Sequence, residues 1–169
     1  MNWELGVKYA EDVVAGKINV CRNVRLACKR FLAQSVREDW DWVFDSRFPA
    51  HVLDVASHMK HTKGPDAGKL IVLDPFQIFF ICAVYGFRKK SDLSKRMVTD
   101  VILYIPRKAG KSTLTAIIAL YELKFGESGA EVFTLATNRE QATIVFDSAK
   151  GFVETAHEEI KNWFDVSQY

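Results

Sequence analysis

Apolar positions change their spacing along the chain, and this change predicts how the chain is organised. In the first part, apolar side chains recur at the three- to four-residue spacing of amphipathic helices, which predicts helices over about 4–15, 19–34 and 49–60. Later, largely apolar runs occupy 100–105 and 131–137, and both are rich in β-branched residues. Runs of this kind are typical of buried parallel strands.

Helical patterns also surround the two apolar runs. An aromatic-rich helix is predicted to begin near Pro75, which suits a first helical turn, and to end near Gly86. Further helices are predicted from Lys111 to about Phe125 and from Asn138 to about Ile160. The order strand–helix–strand–helix predicts parallel strands joined by a right-handed crossover, so the predicted fold class is α/β.

The clearest break in the pattern is Lys63–Gly68, a stretch of turn-forming residues. It predicts a boundary between an N-terminal helical segment, 1–64, and an α/β section with a parallel sheet flanked by helices, 65–169.

Composition excludes several classes of protein. The net charge of +2 and a pI near 8.4 neither require nor exclude a nucleic-acid partner. The three cysteines form no C-x-x-C pair, which predicts reduced buried thiols and neither disulfides nor zinc ligands. The polar, acidic start is unlike a signal peptide, and no apolar run has the length of a membrane span.

The first apolar run leads into Tyr104–Thr113, YIPRKAGKST, and then directly into a helical pattern. Strand, short loop, Gly-Lys-Ser and helix are the parts of a phosphate-binding P-loop. A helix N-terminus directs unpaired N–H groups at a bound anion, and Gly110 allows its close approach. We expect Lys111 to bind the β- and γ-phosphates of ATP and the Ser112 hydroxyl to bind its Mg²⁺.

The loop departs from the general pattern, because Ile105 stands where the first glycine belongs. It carries two cations instead, and Arg107 has the reach of an arginine finger supplied in cis. The alternative is that Arg107 and Lys108 are solvated loop charges. The predicted catalytic residues are Arg107 and Lys111; the predicted nucleotide-binding residues are Phe76, Gln77, Pro106, Arg107, Lys108, Ala109, Gly110, Lys111, Ser112 and Thr113.

Two other segments carry polar candidates. Gln77 stands about thirty residues before the loop, where its amide is predicted to read adenine; a helix-capping role is the alternative. Thr137, Asn138 and Arg139 follow the second apolar run, so we expect them at the phosphate-loop edge of the sheet. They are candidates for contacting DNA or coupling it to the nucleotide, or else Thr137 or Asn138 caps the next helix.

The second predicted helix has a basic side formed by Arg22, Arg25, Lys29 and Arg30. Correctly placed cations are all that phosphate neutralisation requires, so this side is a candidate DNA contact. A solvated helix face is the alternative.

Three stretches, LDPFQ, IPRKAGKST and LATNREQA, resemble in order and spacing the ATPase half of tailed-bacteriophage terminase large subunits. The resemblance covers roughly 65–155, and the loop is its most specific part. It implies a P-loop NTPase fold of the RecA-like (ASCE) class and an ATPase that uses ATP and Mg²⁺ to drive double-stranded DNA into a procapsid. It also implies a ring of subunits, small-subunit and portal partners, no membrane, and the cytoplasm of a bacterial host.

A P-loop ATPase also needs a strand that ends in the acidic Walker B residue, and no such strand is visible after Thr137. We therefore expect an N-terminal piece with an incomplete sheet and poor hydrolysis alone, while the family's nuclease domain would lie in the longer parent. Two alternatives stay open. One is a superfamily-2-like helicase fragment, although its loop would keep the first glycine; the other is a non-enzymatic helical binding module with a degenerate P-loop.

Overall fold

The computed structural model describes residues 1–166, so positions 167–169 of the predicted second section lie outside the described residues. The chain divides into two compact units. The first unit is Met1–Asp54 with Leu73–Leu103, and the second is Val55–Val72 with Tyr104–Tyr169. The predicted boundary between 1–64 and 65–169 stays a prediction.

The helices follow the apolar periodicity closely. The three predicted over 4–15, 19–34 and 49–60 are confirmed with ends no more than three residues away. In chain order the elements are α1 (Glu4–Val14), α2 (Arg22–Ser35), β1 (Trp42–Phe44), α3 (Arg47–Ser57), α4 (Pro75–Tyr85), β2 (Phe87–Lys89), β3 (Asp92–Arg96), α5 (Lys111–Phe125), α6 (Arg139–Thr155) and α7 (Glu158–Lys161).

Helix α4 is the central element of the first unit. Its sequence, PFQIFFICAVY, is apolar on almost every side, as a helix with neighbours all round must be. It packs against α1, and Gly6 makes the close approach possible: a Cβ there would stand 2.7 Å from the backbone nitrogen of Phe79. Helix α1 also packs against α2.

Aromatic side chains hold α2, α4 and the strands together. The buried ring of Phe31 meets the rings of Phe44, Phe79 and Phe87 edge-on, with centroids 5.4, 5.4 and 5.7 Å away. Edge-on contacts of this kind stabilise beyond the apolar area they bury. The core of the first unit is therefore an aromatic cluster shared by elements distant in sequence.

The sheet differs from the predicted one. The strands that the described residues form lie in the order β1–β2–β3, and both pairings are antiparallel. Trp42 pairs with Lys89 and Phe44 with Phe87, while the β2–β3 hairpin contains an irregular register at Arg88 and Lys89. The fold is thus mixed α/β, but the parallel sheet predicted from the sequence is absent from the described residues.

The two apolar runs predicted as buried strands, 100–105 and 131–137, have no strand assignment in residues 1–166 and are largely exposed, so the structure does not show the predicted buried strands. The reason is the lack of a hydrogen-bonded neighbour, without which an extended segment is not a strand. Their side chains face solvent: Ile102 is 94% exposed, Tyr104 99% and Leu135 93%.

The second unit is built on α5 and α6, which pack against each other. Leu114, Ile117 and Leu120 of α5 are buried, as are Phe152 and Val153 of α6. The turn predicted at Lys63–Gly68 is confirmed as the tip of a small hairpin. Its arms are tied by the Ile71 N–H, which donates to the Met59 carbonyl at 2.9 Å, and by the His61 N–H, which donates to the Lys69 carbonyl at 2.9 Å.

Candidate nucleotide-binding site

The predicted phosphate loop is an exposed turn that leads directly into α5. Lys108 has φ 67° and Gly110 has φ 73°, so two residues of the turn adopt the left-handed conformation. That conformation is strained for lysine and free for glycine. Alternation of backbone conformation in a turn gathers N–H groups on one side and makes an anion-binding concavity.

The N-terminus of α5 adds further donors. Gly110 is the N-cap residue, and no side chain caps the helix there. The first intrahelical bond runs from the Leu114 N–H to the Gly110 carbonyl, at 2.9 Å. The N–H groups of Lys111, Ser112 and Thr113 therefore have no intrahelical acceptor, and the helix dipole adds partial positive charge beside the loop.

Three cations surround this N-terminus. Arg107, Lys108 and Lys111 are exposed, and within residues 1–166 none of them forms an ion pair with a carboxylate. Ser112 and Thr113 are half-buried at the start of the helix, and Pro106 is exposed at the start of the loop. The predicted residues 106–113 thus form one contiguous, positively charged segment, a turn that continues into the first turn of α5.

Gln77 and Phe76 belong to the first unit, in the opening turn of α4. Gln77 is 5% exposed, and its Oε1 accepts a hydrogen bond from the Asp74 N–H at 2.9 Å. Asp74 and Gln77 form a capping box, the arrangement in which an N-cap residue and the third helical residue satisfy each other's backbone donors. The capping alternative therefore describes this conformation of Gln77, and its adenine contact stays a prediction.

The third predicted group lies at the start of α6, in the second unit. Asn138 is the N-cap, and its Oδ1 accepts from the Gln141 N–H at 2.8 Å. The Thr137 hydroxyl donates to Gln141 Oε1 at 3.0 Å, and Arg139 is exposed. Capping is thus what Asn138 does in this structure, while the DNA or coupling role of these three residues stays a prediction.

The structure adds one feature to the site that the sequence did not indicate. The left-handed conformation of Lys108 could not be predicted from the sequence, because glycine, asparagine and aspartate are the residues that commonly adopt it and lysine is not. Among residues 1–166 there is no group of three or more His, Cys, Asp or Glu side chains arranged to hold a metal ion. The role of Ser112 as a ligand of magnesium stays a prediction.

Comparison with known proteins places the loop in a family. The family model for the terminase large subunit, ATPase domain, matches residues 75–166, more than half of the 169-residue chain. The chain belongs to this family. The matched segment begins with α4 and continues through the loop, α5 and α6.

A curated relative agrees with the family assignment. The terminase large subunit of Enterobacteria phage HK97 is 39% identical to this chain over 89 residues, which is 52% of the chain and 16% of the relative. The chain thus spans about a sixth of that terminase's length. No solved structure matches the chain significantly. No helix within residues 1–166 is both long and apolar enough to cross a membrane.

Proposed function

We propose that this terminase segment binds ATP and forms part of the motor ATPase that packages double-stranded viral DNA. The observation that supports this most strongly is the uncapped N-terminus of α5, which is preceded by a turn with left-handed residues and surrounded by unpaired cations. Backbone donors, dipole and side-chain charge all favour a phosphate group at the same place.

Each loop residue has a role in this proposal. Lys111 binds the β- and γ-phosphates, and the Ser112 hydroxyl is a ligand of the Mg²⁺ that ATP carries. Arg107 stabilises the charge that develops on the γ-phosphate during hydrolysis. The remaining loop contacts come from the backbone or side chains of Pro106, Lys108, Ala109, Gly110 and Thr113, while Phe76 and Gln77 bind the base.

The proposal includes a fold finer than mixed α/β. We infer that 100–105 and 131–137 become parallel strands of a P-loop sheet when the remaining strands are present. The exposure of Ile102, Tyr104 and Leu135 supports this, because runs of apolar side chains are seldom left in water unless another element covers them. The boundary between 1–64 and 65–169 belongs to the same proposal.

The partners come from the family and the relative's name. A terminase large subunit is proposed to act on double-stranded DNA, with a small subunit and a portal protein, as a homo-oligomeric ring in the cytoplasm of the bacterial host. Walker B, the catalytic glutamate and a nuclease domain would be supplied by the longer parent protein.

Binding of a fluorescent ATP analogue with Mg²⁺ tests the site. Lys111→Ala removes a charge-assisted contact to phosphate, and losses of this kind are about 1.5–3 kcal/mol, so affinity should fall roughly 10- to 100-fold. Lys63→Ala is the matched control, because Lys63 is an exposed lysine of the same unit in the hairpin tip. Equal affinities for the parent and Lys111→Ala would favour the non-enzymatic module with a degenerate loop.

The two roles of Gln77 are separated by two substitutions. Gln77→Glu keeps an oxygen that accepts from the Asp74 N–H, but it removes the amide donor that adenine N7 requires. Gln77→Ala removes both. If Gln77 reads adenine, both variants lose the preference for ATP over GTP analogues, and only Gln77→Ala loses much stability. Unchanged preference in both variants would leave capping as its function.

A further inference from the structure

Helix α2 carries a concentration of positive charge found on no other helix of residues 1–166. Arg22, Arg25, Lys29 and Arg30 form what we call the α2 basic face, and the helix contains no aspartate or glutamate. The combined positive charge of these four side chains is larger than the net charge of the whole chain, +2. Helix α1 beside it, by contrast, contains Glu4, Glu11 and Asp12.

Helical geometry places the four cations on the side opposite the core. Cys28 and Phe31 are buried and define the packed side. At 100° per residue the cations span an arc of about 140° on the other side, and their Cα atoms extend about 12 Å along the axis. Arg22, Lys29 and Arg30 are exposed, and Arg25 is half-buried.

The members of the α2 basic face have no carboxylate partner within the described residues. Eight lysines and arginines elsewhere form ion pairs: Lys8, Lys17, Arg37, Arg47, Lys69, Lys95, Lys150 and Lys161. Within the described residues, none of the four α2 cations does. The carboxylate of Asp12, on the neighbouring helix α1, is already paired with Lys8 and Lys17.

This arrangement opposes helix stability. Arg22 and Arg25 are three residues apart, and Arg25 and Lys29 are four apart, so like charges are neighbours on the helix surface. Arg22 also lies in the first turn, where the helix dipole disfavours a cation. An anionic partner would relieve both effects, and the partner must carry several negative charges at about the spacing of helix turns.

We propose that the α2 basic face binds the phosphate backbone of duplex DNA, without reading its sequence. The choice of DNA as the polyanion rests on the proposed packaging function; the anionic nature of the partner rests on the charges of α2. Phosphates on one strand are separated by about one base-pair rise along the axis, so 12 Å spans several of them. Contacts to phosphate position a protein but carry no sequence information, which suits a translocating motor.

The test is the salt dependence of binding to a 30-base-pair fluorescein-labelled duplex of mixed sequence, without nucleotide, between 50 and 200 mM KCl. Four phosphate contacts predict a slope of about −3.6 in log affinity against log salt, or a roughly 150-fold loss over this range. Lys29→Gln with Arg30→Gln should lower the slope to about −1.8, a roughly 12-fold loss. Glutamine is a good helix former, so α2 should stay folded.

The matched control is Lys95→Gln with Lys161→Gln, which changes net charge equally but removes two cations that already have partners, Asp92 and Glu158. This pair should leave the slope unchanged. An equal change in both double variants would overturn the proposal, because net charge alone would then explain binding. So would phosphatidylserine-containing vesicles that bind the parent chain more tightly than the duplex does.

The same variants separate this proposal from the proposed ATPase function. Lys29→Gln/Arg30→Gln should bind the fluorescent ATP analogue as the parent does, and Lys111→Ala should bind the duplex with an unchanged salt slope. A parent chain that binds the duplex but does not bind the ATP analogue would count against the loop only. If the parent chain binds the ATP analogue, but Lys29→Gln/Arg30→Gln has the same salt slope of DNA binding as the parent, the result would count against the α2 basic face only.

Discussion

A single residue of the first unit, Gly6, allows the backbones of α1 and α4 to approach each other closely. A Cβ on Gly6 would stand 2.7 Å from the Phe79 nitrogen and 2.8 Å from the Ile78 carbonyl carbon, both backbone atoms of α4. Backbone atoms cannot move aside as a side chain can, so α1 would have to shift. We expect Gly6→Ala to lower the free energy of unfolding by about 1–3 kcal/mol in urea denaturation, despite the better helix propensity of alanine.

Gly151→Ala is the contrasting substitution. Gly151 lies inside α6, and its added Cβ would meet the Thr62 methyl group at 2.8 Å, a side chain that can change rotamer. The loss should be smaller than for Gly6→Ala, and Thr62→Ala should convert it into a gain. A Gly6→Ala protein as stable as the parent would show that α1 can move off α4 at little cost.

Elements of the first unit are joined by Arg88, a buried cation of β2. Its guanidinium lies 3.7 Å from the centroid of the Phe48 ring. Nε donates to the Tyr85 carbonyl at 3.0 Å, and Nη1 donates to the Ser94 carbonyl at 3.2 Å. This one planar group therefore contacts the end of α4, the hairpin strand β3 and the first turn of α3.

Arg88→Lys tests how much this connection contributes. Lysine keeps the charge but has a single nitrogen and no flat face, so it cannot donate to both carbonyls while stacking on Phe48. Burying a cation with fewer partners is costly, and we expect unfolding free energy to fall by about 2–3 kcal/mol in urea denaturation. The control is Lys95→Gln, an exposed position on β3. A change no larger than that of Lys95→Gln would contradict the connecting role of Arg88.

At the same scale, the sequence predicted helices better than strands. The α4 helix was predictable because Pro75 and Gly86 mark its ends, and the start of α5 because Gly-Lys-Ser follows the loop. The hairpin formed by β2 and β3 was missed because its second strand, DLSKR, is almost wholly polar and shows no apolar alternation. The runs at 100–105 and 131–137 have strand composition, but composition cannot provide the hydrogen-bonded neighbour that a strand requires.

For the candidate site, the sequence predicted the local arrangement, a turn that leads into a helix beginning at Lys111. The roles of Gly110 and Lys111 toward a nucleotide stay predictions. The conformation of Lys108 and the burial of the Gln77 amide depend on tertiary packing, and neither leaves a pattern in the sequence.

The stability of the whole molecule should depend on pH through its buried thiols. Burial raises the pKa of the Cys28 thiol to about 11 and that of the Cys82 thiol to about 12, above the ordinary value of 9.0. Between pH 9 and these values, the unfolded chain loses protons that the folded chain keeps. Below pH 9 these two thiols therefore do not lower the free energy of unfolding. As pH rises from 9 toward 11–12, the free energy of unfolding falls by at most about 1.4 kcal/mol per pH unit for each thiol.

Substitutions isolate this contribution from that of other groups that titrate in the alkaline range. Cys82→Ala removes a buried thiol, so its unfolding free energy, measured in urea from pH 8 to 11, should decline less steeply than that of the parent. Cys21→Ala is the matched control, because Cys21 is an exposed cysteine of the same chain. The constant cost of the cavity left by Cys82→Ala does not affect the comparison of slopes. Parallel pH curves for the parent and Cys82→Ala would mean that Cys82 ionises as readily in the folded protein as in the unfolded chain, which its burial in α4 opposes.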